Sequence, residues 1–336
     1  MTLAFTICSV NYLAQARTLG DSLRETNPDW TFIIGLVDKL DAAGLPEALY
    51  PPYPMLEVDK IGIPDFAGMC DRYDITELNT AVKPFFINYF YDKYPKADKI
   101  IYFDPDIIVF QPMNRLTDHL DRYSLVLTPH ACSPVDDWER PNDLHHLNTG
   151  IFNLGFIGLR NTADARQFVA WWAQRLVYEC RIDLCAGLFV DQHWVNFAPV
   201  YQDSVWIEKH PGYNVAYWNL HERHFTGSPI EQSGNRGHWL INGTETLFFF
   251  HYSGYNPDKP TEISKYQTRY TFAERPDVVS LFRLYRERLL ANQNEIYRQY
   301  PCVYIKPPRI VRYKRVRKWL KAPLSQLIAV LESGKL

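Results

Sequence analysis

Hydrophobic runs and mixed polar segments alternate along the first part of the chain. Residues 3–10 and 31–37 are apolar and rich in β-branched side chains, which predicts two buried strands. The segment between them, from about residue 14 to 24, predicts a helix. A strand, a helix and a second strand in this order predict a right-handed βαβ unit and therefore a parallel sheet.

The segment 99–110, KIIYFDPDIIVF, has two apolar runs on either side of Asp104, Pro105 and Asp106. The apolar runs lack a helical period, so they predict a buried strand of a parallel sheet. Proline cannot donate to a strand ladder, and the strand is therefore expected to break at Pro105. Both carboxylates then lie at the carboxyl end of the strand, where open α/β sheets bind their ligands.

Asp104 and Asp106 are two residues apart, so in extended chain their side chains project to the same side. Two like charges in an apolar setting are costly unless a cation lies between them. A divalent metal with oxygen ligands, Mg²⁺ or Mn²⁺, is the simplest such cation. The alternative is that both aspartates cap a following turn or helix.

The middle of the chain continues the α/β pattern. Residues 74–91 predict a helix interrupted near Pro84, and Lys83 lies just before it, either to meet a phosphate or as a solvated lysine. A further strand is predicted at 124–128. The polar segment 130–146 predicts a long loop, and loops of this length in compact domains are often functional.

Three segments of the second half contain further candidate residues. Residues 148–159 contain three glycines, which allow close approach of the backbone to a ligand or another strand, and a long helix is predicted from about 163 to 180. Asp191 begins another helical stretch and is a candidate N-cap. The strand 246–252 places His251 at its end, either as a metal ligand or as a structural histidine.

Composition narrows the classes of function. With 336 residues the chain is long enough for one large domain or two, and its 46% hydrophobic and 22% charged residues are typical of a soluble globular protein. The net charge of −2 argues against binding of nucleic acid by the whole protein. Six cysteines without metal-ligand spacing, no signal peptide and no apolar run of about 20 residues predict a cytosolic protein with reduced thiols.

The C-terminal segment has a composition of its own. Residues 306–321 contain eight Lys or Arg and no acid, with Tyr313 and Trp319 among them, and 323–331 is a short apolar stretch. Basic charge with aromatic anchors predicts attachment to an anionic membrane surface, which would make the protein peripheral on the inner face of the plasma membrane. Nucleic acid is the rival partner, and a solvated basic tail is the plain alternative.

Six segments together resemble retaining nucleotide-sugar glycosyltransferases of the GT-A fold, close to family eight and its bacterial relatives. They are SVNY (9–12), ELNTAVKPF (77–85), YFDPDIIVF (102–110), FNLGFIGL (152–159), VDQHWVN (190–196) and FHYSGYNPDKP (250–260). The resemblance covers roughly residues 1–275 in the family's order. It implies an α/β GT-A fold, with a Rossmann-like, mixed but mainly parallel sheet flanked by helices, over residues 1–278. Residues 279–336 would then form a helical, basic extension.

The resemblance also implies a metal and a donor site. Asp104 and Asp106 resemble the Asp-x-Asp ligands of the metal and diphosphate, and His251 resembles the third ligand of a Mn²⁺ or Mg²⁺ ion. Asn11 and Tyr12 would contact the nucleotide.

Phosphate and sugar contacts are implied by the same resemblance. Lys83 would contact the diphosphate or the donor sugar. Lys259 resembles a phosphate-binding lysine, although it comes later than in the commoner form H-F-x-G-x-x-K-P-W, since this chain reads HYSGYNPDKP. Asn153 and Asp191 would hold the sugar hydroxyls, and Gln192 would lie where a nucleophile is expected.

These residues predict metal-dependent transfer of a sugar from a nucleotide-diphosphate sugar, a UDP-sugar being favoured, to a glycan or a lipid-linked acceptor. Asp191 is the better nucleophile on charge and Gln192 a poor one, and same-face attack without a nucleophile is the other route to retention. An aspartate-nucleophile phosphohydrolase of the haloacid dehalogenase type is an alternative. That family has Thr or Val two residues after the second aspartate, where this chain has Ile108. A non-catalytic sugar-binding protein is the third reading.

Overall fold

The computed structural model describes residues 1–226 and 239–305. The basic segment 306–321 and the apolar stretch 323–331 lie outside the described residues. The prediction of membrane attachment concerns residues that the structure does not describe.

Strands and helices are interspersed along the described residues. The strands are β1 (Thr2–Cys8), β2 (Thr31–Leu36), β3 (Met55–Glu57), β4 (Lys99–Phe103), β5 (Ile107–Val109), β6 (Leu125–Leu127), β7 (Phe156–Arg160), β8 (Ile182–Asp183), β9 (Leu188–Phe189), β10 (Val205–Ile207), β11 (Phe225–Thr226), β12 (Leu240–Ile241), β13 (Glu245–Thr246) and β14 (Phe249–His251). The α-helices are α1 (Leu13–Thr26), α2 (Leu40–Ala43), α3 (Phe66–Arg72), α4 (Ile75–Ala81), α5 (Lys83–Lys93), α6 (Asn114–Leu120), α7 (Asp143–Thr149), α8 (Ala163–Leu176), α9 (Gln192–Val195), α10 (Ala198–Tyr201), α11 (Val279–Ala291) and α12 (Asn294–Tyr297). Short 3-10 helices span Val10–Tyr12, Glu47–Leu49, Val58–Lys60, Leu184–Ala186, Tyr217–Asn219 and Pro276–Val278.

The central sheet has seven strands in the order β10-β6-β7-β4-β1-β2-β3. Neighbouring strands are parallel except for β7, which runs antiparallel to both β4 and β6. Helices flank the sheet, and the predicted fold class, a mixed but mainly parallel α/β sheet, is confirmed. Because β1, β2, β4 and β6 point the same way, their carboxyl ends meet at one edge.

Both faces of the sheet are buried, which explains why its strands are apolar runs and not alternating ones. Leu3 and Ile100 pair across β1 and β4 and belong to the core under helices α5 and α8, whereas Ala4 and Ile101 pair one residue on and belong to the core under α1. All four side chains are fully buried. Burying each of the larger ones contributes roughly 1.5–3 kcal/mol.

The predicted break at Pro105 is confirmed, and it has a topological consequence. Strand β4 ends at Phe103, and the chain resumes after the break as β5, which leaves the central sheet and pairs antiparallel with β14. In that register His251 is opposite Ile107, next to Asp106. The break therefore brings a residue from far along the chain to the end of β4.

The interruption predicted near Pro84 is also confirmed. Helix α4 begins with a capping box formed by Asp74 and Glu77 and ends at Ala81, and α5 then begins at Lys83 with the proline in its first turn. Proline is tolerated there because the first amide of a helix has no intrahelical partner. The side chain of Lys83 is thereby placed at a helix start that faces the end of the sheet.

The segment 130–146, predicted as one long loop, ends in a helix. Asn142 caps α7 by accepting a hydrogen bond from the backbone N–H of His145, whose ring contacts the Asn142 side chain in return. Asn at N-cap favours a helix start. The polar composition of the whole segment favoured the loop prediction over this local helix-capping signal.

Helices α11 and α12 pack against α1. The Gln15 side-chain amide donates to Asn294 Oδ1 at 3.2 Å, and the Asn292 side-chain amide donates to the Thr18 hydroxyl at 3.0 Å. The compact unit runs from Met1 to Ile305 and therefore includes helices that follow residue 278.

Candidate active site

Asp104, Asp106 and His251 converge at the end of β4. One ligand atom from each lies within 4.8 Å of the other two. The His251 Nε2 atom is 3.0 Å from Asp106 Oδ1 and 3.6 Å from Asp104 Oδ2. Gly155 leaves the space for the imidazole, because a Cβ atom there would lie 2.3 Å from His251 Cε1.

The charges of this cluster influence one another. Burial lowers the pKa of His251, but the carboxylates of Asp106 and Asp104 outweigh burial and raise it above its ordinary value. Burial raises the pKa of Asp104 even though Lys83 and then His251 act to lower it. The Tyr102 hydroxyl donates a hydrogen bond to Asp104 at 2.5 Å and fixes the carboxylate.

The donor set fits a divalent cation. The side chains of Asp104 and Asp106 are 29% and 21% exposed, while that of His251 is 3% exposed. Among the described residues, neither aspartate side chain accepts a backbone N–H, so the helix-cap alternative does not describe them. Two carboxylates and one imidazole are ligands that Mn²⁺ and Mg²⁺ sites use.

Lys83 and Asp191 form an ion pair beneath this cluster. Lys83 Nζ is 2.5 Å from Asp191 Oδ2, and the two side chains are 1% and 3% exposed. Lys83 also donates to the Leu154 carbonyl at 2.7 Å and lies 4.2 Å from the centroid of the Tyr102 ring. Burial raises the pKa of Asp191, and Lys83 opposes that shift.

Asp191 stands at the N-cap position of α9, as the sequence suggests, but its side chain makes no cap hydrogen bond. Its carboxylate instead accepts a hydrogen bond from Lys83 Nζ. Val190, just before it, has a φ of 42°, in the left-handed region that β-branched residues rarely adopt. Strained backbone of this kind is often found at functional sites.

Gln192 connects α9 to the chain before β7. Its side-chain amide donates to the Thr149 carbonyl at 2.6 Å, and its carbonyl oxygen lies 3.4 Å from the Leu154 amide nitrogen. The residue is 7% exposed. Gly150, with a φ of 115°, passes close to it, which explains one of the three glycines of this segment.

Asn153 is held by polar neighbours. Its Oδ1 atom accepts hydrogen bonds from Gly155 N at 3.1 Å and Asn214 Nδ2 at 3.0 Å, and its Nδ2 atom is 3.3 Å from His130 Nε2. Burial, and then His146, lower the pKa of His130 to about 3, so its ring is neutral and accepts from Asn153. Within the described residues, the second N–H of the Asn153 side chain makes no hydrogen bond.

Asn11 and Tyr12 lie in the turn after β1. Asn11 is half-buried, and its Oδ1 atom has no hydrogen-bond partner within the described residues. Tyr12 is 45% exposed, and burial, followed by Asp106 and Tyr266, raises its pKa to about 12. The unpartnered Asn11 oxygen is therefore buried, whereas Tyr12 is partly exposed and lies near the candidate metal site.

Lys259 is placed differently. Its side chain is 60% exposed and pairs with Glu262 at 3.3 Å, three residues on. The structure brings Asp104, Asp106, His251, Lys83, Asn153, Asp191 and Gln192 together, but it does not bring Lys259 into that group.

Sequence reasoning missed several residues around the site. His130 and Asn214 hold Asn153, and the Trp218 ring lies 5.1 Å from that of His251. His130 follows β6 at the edge where the other strands end, and this position was a usable signal. Asn214 and Trp218 lie in a stretch whose sequence carries no such signal.

The chain is similar in sequence to two uncharacterized proteins of Bacillus subtilis. No family model matches the chain. The "Uncharacterized protein YfnF" of Bacillus subtilis (strain 168) is 23% identical over 291 residues, which are 86% of this chain and 92% of that protein. "Uncharacterized protein YfnD" of the same strain is 25% identical over 254 residues, 74% of this chain and 76% of that protein.

Among solved structures, the galactosyltransferase LgtC in complex with donor and acceptor sugar analogs is similar. The superposition of the two structures has a TM-score of 0.52 at 17% sequence identity, and it covers 86% of this chain and 96% of the LgtC chain. The likeness shows that the chain has the GT-A glycosyltransferase fold.

Proposed function

We propose that this protein transfers a sugar from a nucleotide-diphosphate sugar to a glycan or lipid-linked acceptor. The observation that carries the proposal is the convergence of Asp104, Asp106 and His251 at the carboxyl end of the sheet in a GT-A fold. A UDP-sugar is the favoured donor, and this preference rests on the sequence resemblance to family eight.

Asp104, Asp106 and His251 would hold a Mn²⁺ or Mg²⁺ ion. When bound, such an ion neutralises the charge that grows on the leaving diphosphate. Lys83 is the strongest influence lowering the pKa of Asp104, so the buried ammonium helps to keep that carboxylate anionic and ready for a cation. The Tyr102 hydroxyl orients the same carboxylate.

Asp191 and Gln192 bear on the stereochemistry. The carboxylate of Asp191 is held at 2.5 Å by Lys83, which reduces its strength as a nucleophile, and the Gln192 carboxamide is a poor nucleophile. Both features favour retention by same-face attack guided by the leaving diphosphate over a covalent intermediate. In that mechanism Asp191, Gln192 and Asn153 orient the donor sugar.

The test is release of nucleoside diphosphate from a panel of UDP- and GDP-sugars, with and without Mn²⁺. We expect release from one donor class that is lost after treatment with a chelator. A raised melting temperature with a nucleotide-sugar, but no release, would indicate a sugar-binding protein without activity. Metal-dependent hydrolysis of p-nitrophenyl phosphate, but not of nucleotide-sugars, would indicate the phosphohydrolase.

The basic segment 306–321 is proposed to attach the protein to an anionic membrane surface. None of the helices in residues 1–226 and 239–305 is long and apolar enough to cross a bilayer. Deleting the residues after 305 should release the protein from vesicles that contain phosphatidylserine and leave hydrolysis of the donor unchanged. Equal vesicle binding by the truncated protein would contradict the attachment.

A further inference from the structure

Trp138 is the most exposed large hydrophobic side chain of the described residues, with 95% of its surface exposed. Within those residues its ring makes no ring contact, and its indole N–H makes no hydrogen bond. A ring of this size is favoured in contact with a partner, because it combines a large apolar face with a polar edge. The surroundings of Trp138 indicate which partner it serves.

The backbone on both sides of Trp138 is fixed. Asp137 accepts two hydrogen bonds from Arg269, at 2.7 Å from Nε and 2.9 Å from Nη2, and Arg269 Nη2 also donates to the Pro141 carbonyl at 2.6 Å. The Thr268 amide donates to the Arg140 carbonyl at 3.0 Å, and the Arg140 amide donates to the Thr268 hydroxyl at 3.0 Å.

Residues 137–141, held in this way to 268–269, are called the strap below. Because the backbone of the strap is already ordered, contact with the Trp138 ring costs little further conformational entropy. An aromatic side chain with two rotatable bonds adds little to that cost.

The chain before the strap and the chain before its anchor, residues 268–269, both contain aromatic groups that lie near the candidate active site. Tyr266, two residues before the anchor, has its ring 6.4 Å from that of Tyr217. The neighbouring Trp218 ring lies 5.1 Å from His251 and 5.3 Å from His130, which begins the segment that reaches the strap. Trp138 therefore stands on a chain segment that connects two groups beside His251.

The charge around the strap distinguishes among partners. Residues 133–143 contain four acids and Arg140, and Arg269 pairs with one of the acids, Asp137, so an excess of two negative charges remains in this region. Acidic groups repel phosphate-bearing acceptors and anionic membrane surfaces. Carboxylates accept hydrogen bonds from hydroxyl groups, and the indole ring offers a flat apolar face. A saccharide without charge matches both features.

We propose that Trp138 is the platform on which a neutral sugar ring of the acceptor glycan stacks. This inference rests on the proposed function, since it names the class of acceptor for the same site. It assigns the binding of the acceptor to the strap and leaves the binding of the donor to the residues around Asp104 and Lys83.

The experiment uses the full-length protein and a glycan array that displays neutral and phosphorylated oligosaccharides. The dissociation constant for the neutral glycan with the strongest signal is then measured for wild type, Trp138→Ala, Trp138→Phe and Tyr201→Ala. Tyr201 is a matched control, because it is 53% exposed and packs against Trp171 on α8. Melting temperatures verify that each variant folds.

We expect Trp138→Ala to weaken glycan binding about tenfold and Trp138→Phe to weaken it less than about threefold. Tyr201→Ala should bind as wild type. Hydrolysis of the nucleotide-sugar without acceptor should be the same in all four proteins, because the strap does not hold the donor.

Three results would overturn the inference: no binding of neutral glycans by wild type, binding of phosphorylated glycans only, or unchanged affinity in Trp138→Ala. Loss of vesicle binding in Trp138→Ala, with glycan affinity retained, would assign the ring to a membrane instead. If wild type hydrolyses no nucleotide-sugar, the proposed function fails, whereas the glycan dissociation constants still decide the role of Trp138.

Discussion

Lys83–Asp191, near Asp104, and Arg269–Asp137, in the strap, are both short ion pairs, yet their surroundings differ. The first pair has side chains that are 1% and 3% exposed, whereas in the second Asp137 is 42% exposed and Arg269 is 4% exposed. Breaking a buried pair leaves an uncompensated charge in an apolar setting, but water can solvate the partner left by a surface pair. We therefore expect folding to depend more on the buried Lys83–Asp191 pair than on the pair that holds the strap.

The largest effect is expected from Asp106→Ala on the donor side. Removing this ligand should reduce metal-dependent release of nucleoside diphosphate by about 10³-fold or more, because cation stabilisation of the leaving group is worth several kcal/mol. The melting temperature should change little, since the substitution also removes repulsion from Asp104. Asp203→Ala, an exposed aspartate, is the matched control. Full activity in Asp106→Ala would exclude this residue as a ligand.

The second effect tests the buried pair directly. Lys83→Met should lower the free energy of unfolding by about 3–5 kcal/mol, because Asp191 would remain buried without its partner. Lys83→Met combined with Asp191→Leu should recover a large part of this loss. Chemical denaturation measures both values. A double variant no more stable than Lys83→Met would mean that the pair does not account for the loss.

The third effect separates binding from orientation. Gln192→Ala should slow sugar transfer about tenfold, as expected when a group that orients the donor sugar is removed, and leave nucleotide affinity nearly unchanged. Titration with the nucleoside diphosphate and steady-state kinetics give the two numbers. A collapse of nucleotide affinity would instead reassign Gln192 to binding of the donor.

The smallest effect is expected on the strap. Arg269→Ala should cost about 1 kcal/mol of unfolding free energy, since Asp137 is exposed enough for water to replace its partner. Chemical denaturation of Arg269→Ala and Lys83→Met under the same conditions compares the two losses of unfolding free energy. If Arg269→Ala cost as much as Lys83→Met, burial would not be what distinguishes the two pairs.

The fold was largely predictable because its signals are local. Apolar runs predicted β1, β2 and β4, and the prolines at 84 and 105 marked where a helix begins and a strand breaks. The helix α7 escaped prediction, because its capping residue Asn142 lies in a polar segment typical of loops.

The site was predictable in part. Asp104 and Asp106 are only two residues apart, so their proximity followed from local geometry, although the chain turns at residues 105–106 and is not extended there. The approach of His251 depends on the register of β14 against β5. These two strands are 140 residues apart along the chain, as in the pair Phe249 and Val109, and no local sequence pattern predicts their pairing. The roles assigned to the individual site residues stay predictions.

Sequence by itself determined that the chain is an α/β protein with two acids at the end of a buried strand, because strand periodicity and proline act over a few residues. Tertiary structure alone decided that Lys83 neutralises Asp191 and that Lys259 lies in solvent. It also decided that Trp138 is exposed on a fixed strap. Burial and charge pairing depend on neighbours brought together by folding, and no short stretch of sequence contains them.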